Sequence, residues 1–263
     1  MLRESFSGKD SVSWVKNRFD VIHINKRGDR EVVFNASLTA SEKELAAALN
    51  VRQTPSIIFL DGQNQVVMRS DGYRTTKDMQ RIFKYVDSKS YLKESLSDFI
   101  ARTAVSGGHY KLRSHPQFST HTDLSAVSTP LMVIFEDAYC DGCDLMHDTL
   151  LQDETVNKLM SRMTVVRLDT RSQNVITTPG GQQLLPGTWT DKLRLSARPA
   201  IVIFTNEVER IRIAGVLRRF HFQTALRYVA EARYQHYATP RDFGRAYREQ
   251  LLREGKTVDV GVQ

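Results

Sequence analysis

The residues best suited to chemistry are the only two cysteines of the chain, which stand in the motif Cys140-Asp141-Gly142-Cys143. A scaffold of several disulfides is excluded by that count. The apolar run 131–135 predicts a buried strand leading into the motif, with a helix following it. Cys140 would then lie at a helix N-terminus, where unpaired backbone N–H groups stabilise a thiolate. Cys143 lies within one turn of Cys140, so the pattern predicts thiol–disulfide exchange by an exposed Cys140 thiolate and a resolving Cys143 thiol.

Two other uses of this cysteine pair stay open from the sequence alone. A zinc site needs about four ligands, and although His147 follows the motif, the sequence has no second CxxC and no HxxxH. A purely structural disulfide is the second alternative, but such a bridge has no need of a helix N-terminus. Three further histidines, His109, His115 and His121, have a spacing that fits no single helical face, which favours solvated loop positions. We therefore expect no metal and no cofactor other than a redox-active disulfide.

The charges beside Cys140 predict the direction of its chemistry. Asp141 and Asp144 place negative charge next to the sulfur, which opposes the helix dipole and disfavours the thiolate. A less stabilised thiolate makes the disulfide more stable, so the pair is expected to lie towards the reducing end of the redox scale.

Composition narrows the class of protein. The chain has 263 residues, of which 41% are hydrophobic and 25% are charged, as in a soluble globular protein with one large or two small domains. No apolar run of about 20 residues is present, so membrane insertion is not expected. The net charge is +7, but no Lys/Arg cluster interleaves with aromatic residues, and we expect no nucleic-acid partner.

The sequence repeats itself at a spacing of 143 to 144 residues. Pro55 and Pro199 each precede an apolar run at a spacing of 144, and Gly72 and Gly215 follow at a spacing of 143. Each copy predicts the order helix, strand, helix, strand, strand, helix, which indicates an α/β fold with a mixed sheet.

Residue patterns place the elements of each copy along the chain. The first copy has helices at 11–18, 41–50, 75–88 and 91–103, and strands at 20–25, 56–60 and 66–70. The second copy has helices at 144–160, 220–233 and 239–254, and strands at 131–135, 164–169, 200–204 and 209–214. Its segment 170–190 is predicted to be an inserted loop.

A strand, a CxxC motif and a later proline that opens a strand resemble the thioredoxin superfamily, over about residues 1–100 and 129–230. The residues around the motif are also similar to thioredoxin-like proteins of bacterial sulfur-oxidation systems (the SoxW type). The resemblance implies that Pro199 is cis and faces the disulfide, with Arg198 beside it. Thioredoxin has a buried Asp where this chain has Ile134, and Glu136 is the expected substitute as proton acceptor.

The fold class expected is therefore two tandem thioredoxin-like folds. We predict a degenerate or truncated domain over 1–104, a linker over 105–128, and a domain with the CxxC motif and a C-terminal helix over 129–263. Alignment of Met1 with Met146 leaves the first copy without its central strand and CxxC turn. Either these and a signal peptide precede Met1, which predicts a periplasmic protein, or another segment such as 109–113 or another chain fills the gap. If Met1 is the natural start, a cytoplasmic protein is expected.

The predicted function is thiol–disulfide exchange by an enzyme that reduces or maintains disulfides in partner proteins, by resemblance those of sulfur oxidation. A thiol electron donor is the second expected partner. Tyr139, Arg198 and the main chain at Pro199 are expected to contact the substrate, together with Asp141 and Gly142 of the motif. Two alternatives remain: a partner-binding module without turnover, and a disulfide isomerase.

Overall fold

The computed structural model describes residues 9–51, 55–72, 74, 76–104 and 110–257. The chain divides into two compact units, Met1–Thr103 and Ala104–Gln263.

The described residues of the first unit form two hairpins and four helices. Its elements are α1 (Lys9–Lys16), β1 (Glu31–Asn35), β2 (Leu38–Ser41), α2 (Glu42–Ala48), β3 (Ser56–Leu60), β4 (Val66–Asp71), α3 (Thr76–Asp87), a 3₁₀ turn (Ser90–Leu92) and α4 (Leu96–Thr103). The antiparallel pair β3–β4 and the helix α3 lie where the sequence predicts them. Ser41 and Glu44 form the capping box that starts α2. The core is largely aromatic, with Phe19, Phe59 and Phe83 in mutual ring contact.

The prediction of a strand over 20–25 is wrong. These residues form no strand, and the side chains of Val21 and Ile22 are 68% and 72% exposed. A β-branched run becomes a strand only where a neighbouring strand satisfies its backbone groups. In the described residues of the first unit, no strand pairs with this run.

The second unit is built on a five-stranded sheet. Its elements are β5 (Phe118–Ser119), β6 (Leu131–Glu136), α5 (Cys143–Leu145) continuing into a π-helical turn (Met146–Leu150), α6 (Glu154–Met160), β7 (Thr164–Asp169), β8 (Ile176–Thr177), β9 (Gln183–Leu184), α7 (Pro186–Lys192), β10 (Ala200–Thr205), β11 (Val208–Ala214), α8 (Arg219–Ala230), a 3₁₀ turn (Arg233–Gln235) and α9 (Pro240–Arg253). The strand order is β11-β10-β6-β7-β5. The sheet is mixed, because β6 pairs parallel with β7 and antiparallel with β10.

The central strand β6 is buried along its whole length. Successive side chains point to opposite faces, so Met132 and Ile134 pack into one core and Val133 and Phe135 into the other. Burial on both faces explains why the sequence of this strand is a continuous apolar run. The strand ends at Glu136, shortly before the cysteine motif.

Two segments that the sequence predicts to be irregular carry structure. In the described part of the predicted linker, 110–128, β5 pairs parallel with β7 and Leu124 is buried, so these residues belong to the second unit. The polar composition of this stretch conceals a few apolar side chains that pack on the sheet. The predicted loop 170–190 contains β8, β9 and α7, and Trp189 of α7 packs against Phe135.

The two units share backbone features 143 residues apart. Gly72 and Gly215 both have positive φ angles, of 83° and 84°, and each donates its N–H to the carbonyl of the proline that precedes the hairpin, at 2.8 Å. Tyr85 and Tyr228 each donate their hydroxyl to a carbonyl nine residues later. In the part of the chain that the structure describes, no helix is long and apolar enough to cross a membrane.

Candidate redox site at Cys140 and Cys143

Cys140 and Cys143 form a disulfide just beyond the carboxyl end of the central strand β6, with Cα atoms 5.5 Å apart. The helix begins at Cys143 and is capped by Gly142, so Cys140 lies before the helix rather than at its N-terminus as the sequence predicts. The reason is local: the Cys140 N–H donates to the carbonyl of Asp137, in a turn that delays the helix.

The loop of Pro199 lies against the cysteine turn. The Arg198–Pro199 peptide bond is cis. A Cβ atom added at Gly142 would lie 3.1 Å from Cδ of Pro199 and 3.0 Å from Cγ2 of Val216. Both distances are shorter than an ordinary van der Waals contact. The glycine between the cysteines, which has no Cβ, therefore allows the Pro199 loop to approach the cysteine turn this closely.

The two sulfurs are covered. Cys140 is 1% exposed and Cys143 is 0% exposed, whereas the sequence predicts an exposed Cys140. The cover is Tyr110, which is buried in one cluster with both cysteines, and Leu112 packs against that cluster. Both residues come from the segment that the sequence predicts to be a linker.

Asp137 and Arg198 form a buried ion pair that ties the Pro199 loop to the strand end. Asp137 Oδ2 lies 3.4 Å from Arg198 Nε and accepts a hydrogen bond from the hydroxyl of Thr170 at 2.8 Å. Its other oxygen accepts the N–H of Tyr139 at 2.9 Å. The guanidinium of Arg198 also donates to Thr190 and to backbone carbonyls. Burial lowers the pKa of Arg198, and the carboxylate of Asp137 opposes that shift.

Arg198, whose side chain the sequence predicts to contact substrate, has its partners inside the protein. Its side chain is only 10% exposed and its donors are used inside the protein. The physical reason is the neighbouring carboxylate of Asp137, which offers the guanidinium a buried counter-ion. The main chain at Pro199 and the half-buried Tyr139 remain the candidates for contact.

A second buried polar cluster contains Glu136, His147 and Tyr110. Glu136 is fully buried; its Oε1 lies 2.7 Å from His147 Nε2, and its Oε2 accepts the hydroxyl of Tyr110 at 3.0 Å. Burial, followed by the charge of Glu136, raises the pKa of Tyr110, which keeps the phenol protonated as a donor. Since Glu136 is two residues after Ile134 on one strand, both side chains point to the same face of the sheet.

Arg113 partly neutralises the acidic side chains that follow the cysteine motif. Arg113 Nη1 lies 2.6 Å from Asp148 and 3.6 Å from Asp144. The sequence alone predicts Asp144 as an unopposed charge beside Cys140. The cation of Arg113 reduces that effect, and Asp141 keeps its place in the turn between the cysteines.

Replacing Glu136 by glutamine is expected to lower the pKa of the Cys140 thiol, because the carboxylate is linked through Tyr110 to the cysteine cluster and a nearby negative charge disfavours the thiolate. The reduction potential should rise by about 30 mV, the change that corresponds to a tenfold shift for a two-electron couple. The control is Glu154→Gln, which makes the same change at a carboxylate that is 83% exposed. Thiol titration and a redox titration measure the two quantities, and equal values in both variants would contradict the expectation.

Among the described residues, no group of three or more His, Cys, Asp or Glu side chains is arranged to hold a metal ion. The sequence-based candidate His147 faces Glu136, and both cysteines are in the disulfide.

A mixed sheet whose central strand ends in a close cysteine pair, with a proline loop opposite, is a thioredoxin-like arrangement. The family model for the thioredoxin-like domain matches residues 1–87 and 123–230. The chain therefore belongs to the thioredoxin-like domain family, and the two matched stretches correspond to tandem folds. No curated protein matches the chain.

Solved structures similar to this chain include a thioredoxin-fold protein from Helicobacter pylori, at 12% identity and a TM-score of 0.45, covering 51% of this chain and 90% of that one. Thioredoxin O2 from Arabidopsis thaliana in its oxidized state is 24% identical, with a TM-score of 0.28, covering 40% of this chain and 75% of that one. A thioredoxin from Thermus thermophilus is also 24% identical, with a TM-score of 0.31, and the match covers 38% of this chain and 73% of that one.

Sequence reasoning missed Asp137 and Tyr110. A signal for Asp137 exists: Glu136-Asp137 are consecutive acids at the end of an otherwise apolar strand, and buried acids need partners. The signal for Tyr110 is weaker, since only its alternation with Leu112 marks an apolar stripe in a polar stretch.

Proposed function

We propose that the protein is a thiol–disulfide oxidoreductase in which Cys140 and Cys143 are the redox pair, and that it reduces or maintains disulfides in partner proteins. The observation that supports this most directly is the position of the disulfide. It follows the central strand, and the Pro199 loop lies against it at Gly142. A purely structural bridge would need neither the strand end nor the close proline loop.

The exchange takes place in two steps. The Cys140 thiolate attacks one sulfur of a substrate disulfide, which forms a Cys140–substrate disulfide and expels the other substrate sulfur as a thiolate that takes a proton from solvent. Cys143 then loses its proton and attacks Sγ of Cys140, which closes the internal disulfide and releases the first substrate sulfur as a thiolate. Two electrons pass to the substrate, and a thiol donor restores the dithiol.

The surrounding residues have distinct proposed parts. The main chain at Pro199 and the Tyr139 side chain contact the substrate, while Arg198 holds the loop in place from inside. Glu136 is the proposed proton acceptor for Cys143, because it is the buried carboxylate on the face of β6 where thioredoxin carries its Asp. The similarity of the motif region to sulfur-oxidation thioredoxins favours proteins of that chemistry as partners.

The test is a redox titration of the whole chain against glutathione, with the thiols counted by alkylation and mass. The expected result is a reversible two-electron transition in which Cys140 and Cys143 gain alkyl groups together. Metal content is measured in the same sample. Thiols that fail to pair again on oxidation, or that hold zinc, would refute the exchange function and favour a partner-binding module.

A further inference from the structure

Residues 110–113 run across the cysteine turn, and their contacts define a segment that we call the strap. Tyr110 is 3% exposed and forms a buried cluster with both cysteines, against which Leu112 packs. Reactive sulfur must be reached by a thiolate before exchange can start. In the strapped arrangement neither sulfur is open to a thiolate from another molecule.

The strap is attached on both sides of the turn. On one side, the backbone N–H of Tyr110 donates to the carbonyl of Ala138 at 3.1 Å, and its hydroxyl donates to Glu136. On the other side, Arg113 pairs with Asp148 and Asp144 of the helical segment that follows Cys143. The strap therefore lies over the motif from the strand end to the helix.

The attachments at the Arg113 end of the strap are exposed, whereas those of Tyr110 are buried. Residues 110–115 form no helix and no strand, and the side chain of Arg113 is 39% exposed, with its two acidic partners more exposed still. Segments with few backbone hydrogen bonds and exposed ion pairs open at a small fraction of the cost of global unfolding. Opening the strap leaves the pairing of β5 with β7 intact, because β5 begins at Phe118.

We propose that the strap is an autoinhibitory cover of the redox site, which a partner must displace before it reaches Cys140. This proposal rests on the thiol–disulfide function proposed above. Tyr110 and Leu112 take the place of an apolar substrate side chain on the disulfide, and the Tyr110 N–H, bonded to the carbonyl of Ala138, holds them there. The strap sets the rate of exchange without taking part in the chemistry.

A substitution at Arg113 distinguishes release of the strap from a simple change of charge near the sulfurs. Arg113→Gln removes a cation beside the site, which by itself would slow the attack of an anionic thiolate. If Arg113 fastens the strap, the same change uncovers the sulfurs and speeds the attack. Lys111→Gln is the matched control, since it removes one exposed cation from the same segment.

The experiment measures the rate at which dithiothreitol reduces the Cys140–Cys143 disulfide of the whole chain, stopped by alkylation and read by mass. In each exchange the attacking thiolate bonds to Sγ of Cys140, the internal S–S bond breaks, and Cys143 leaves as a thiolate that is protonated. We expect acceleration of about tenfold for Tyr110→Ala and about three- to fivefold for Arg113→Gln, in line with the loss of an exposed pair. Lys111→Gln should show none.

The outcomes separate the two proposals. A wild-type pair that reduces and re-forms reversibly, with all variants reacting at the same rate, overturns the strap and leaves the redox function standing. A wild-type pair that does not cycle at all overturns the redox function itself. Circular dichroism checks that Tyr110→Ala is folded, and if it is not, the rate of Arg113→Gln against Lys111→Gln decides.

Discussion

We expect the Cys143→Ser variant to accumulate a stable mixed disulfide between Cys140 and a disulfide substrate, with turnover reduced to the rate of the reductant alone. The reason is that the second step needs a thiolate at position 143 to attack Sγ of Cys140 and release the substrate. Because the two cysteines are the only ones in the chain, no other internal thiol can replace it. Mass spectrometry with a peptide that contains one disulfide detects the adduct.

The matched control is Cys140→Ser, which keeps Cys143 and removes the proposed nucleophile. This variant should form no adduct, because in the proposed order of steps Cys143 attacks only the mixed disulfide already formed at Cys140. An adduct on Cys143 in this variant, with none on Cys140 in the other, would reverse the two assignments.

Replacing Asp137 by alanine is expected to lower the free energy of unfolding of the second unit by about 3–5 kcal/mol. The substitution removes the hydrogen-bonded counter-ion of the guanidinium of Arg198, which is nearly buried, keeps only the weaker charge interaction with Asp191, and leaves the hydroxyl of Thr170 without its acceptor. An uncompensated buried charge is far more costly than the loss of an exposed pair. Chemical denaturation followed by the fluorescence of Trp189, in a Trp14→Phe background, reports on the second unit.

Two comparisons sharpen this measurement. Glu154→Ala breaks an exposed pair with Lys158 and should cost about 1 kcal/mol or less. The double variant Asp137→Leu with Arg198→Met removes both charges and should recover much of the lost stability, because buried ion pairs are often replaceable by apolar side chains. A loss below about 1 kcal/mol for Asp137→Ala would contradict the expected cost of removing this counter-ion.

The features that the sequence predicted well depend on local pattern. The apolar run of β6 needs burial on both faces wherever it lies, and the closely spaced cysteines can meet without help from distant residues. Pro55 and Pro199 likewise mark their hairpins in both copies. Each of these properties is carried by a few consecutive residues.

The features that were missed depend on residues far apart in the chain. Tyr110 meets the cysteines across about 30 residues, and Arg198 meets Asp137 across about 60, so no periodicity reveals either contact. The prediction of a strand over 20–25 was wrong because it, too, depended on residues elsewhere in the chain. Its composition suits a strand, but strand formation depends on a neighbour that composition does not report.

The hairpin-and-helix half of the fold has a consequence for how the second unit opens. In the first unit, β3, β4 and α3 share an aromatic core with α1, Phe19 and α4, and the described residues include no cysteine-bearing strand. The equivalent half of the second unit, β10 to α9, keeps the same glycine closure and the same tyrosine bond. We therefore expect this half to open as one cooperative unit, at a free energy below that of global unfolding. Such an opening would carry Pro199 away from Gly142, so the rate of hydrogen exchange in β10 and access to the Pro199 side of the disulfide would rise and fall together.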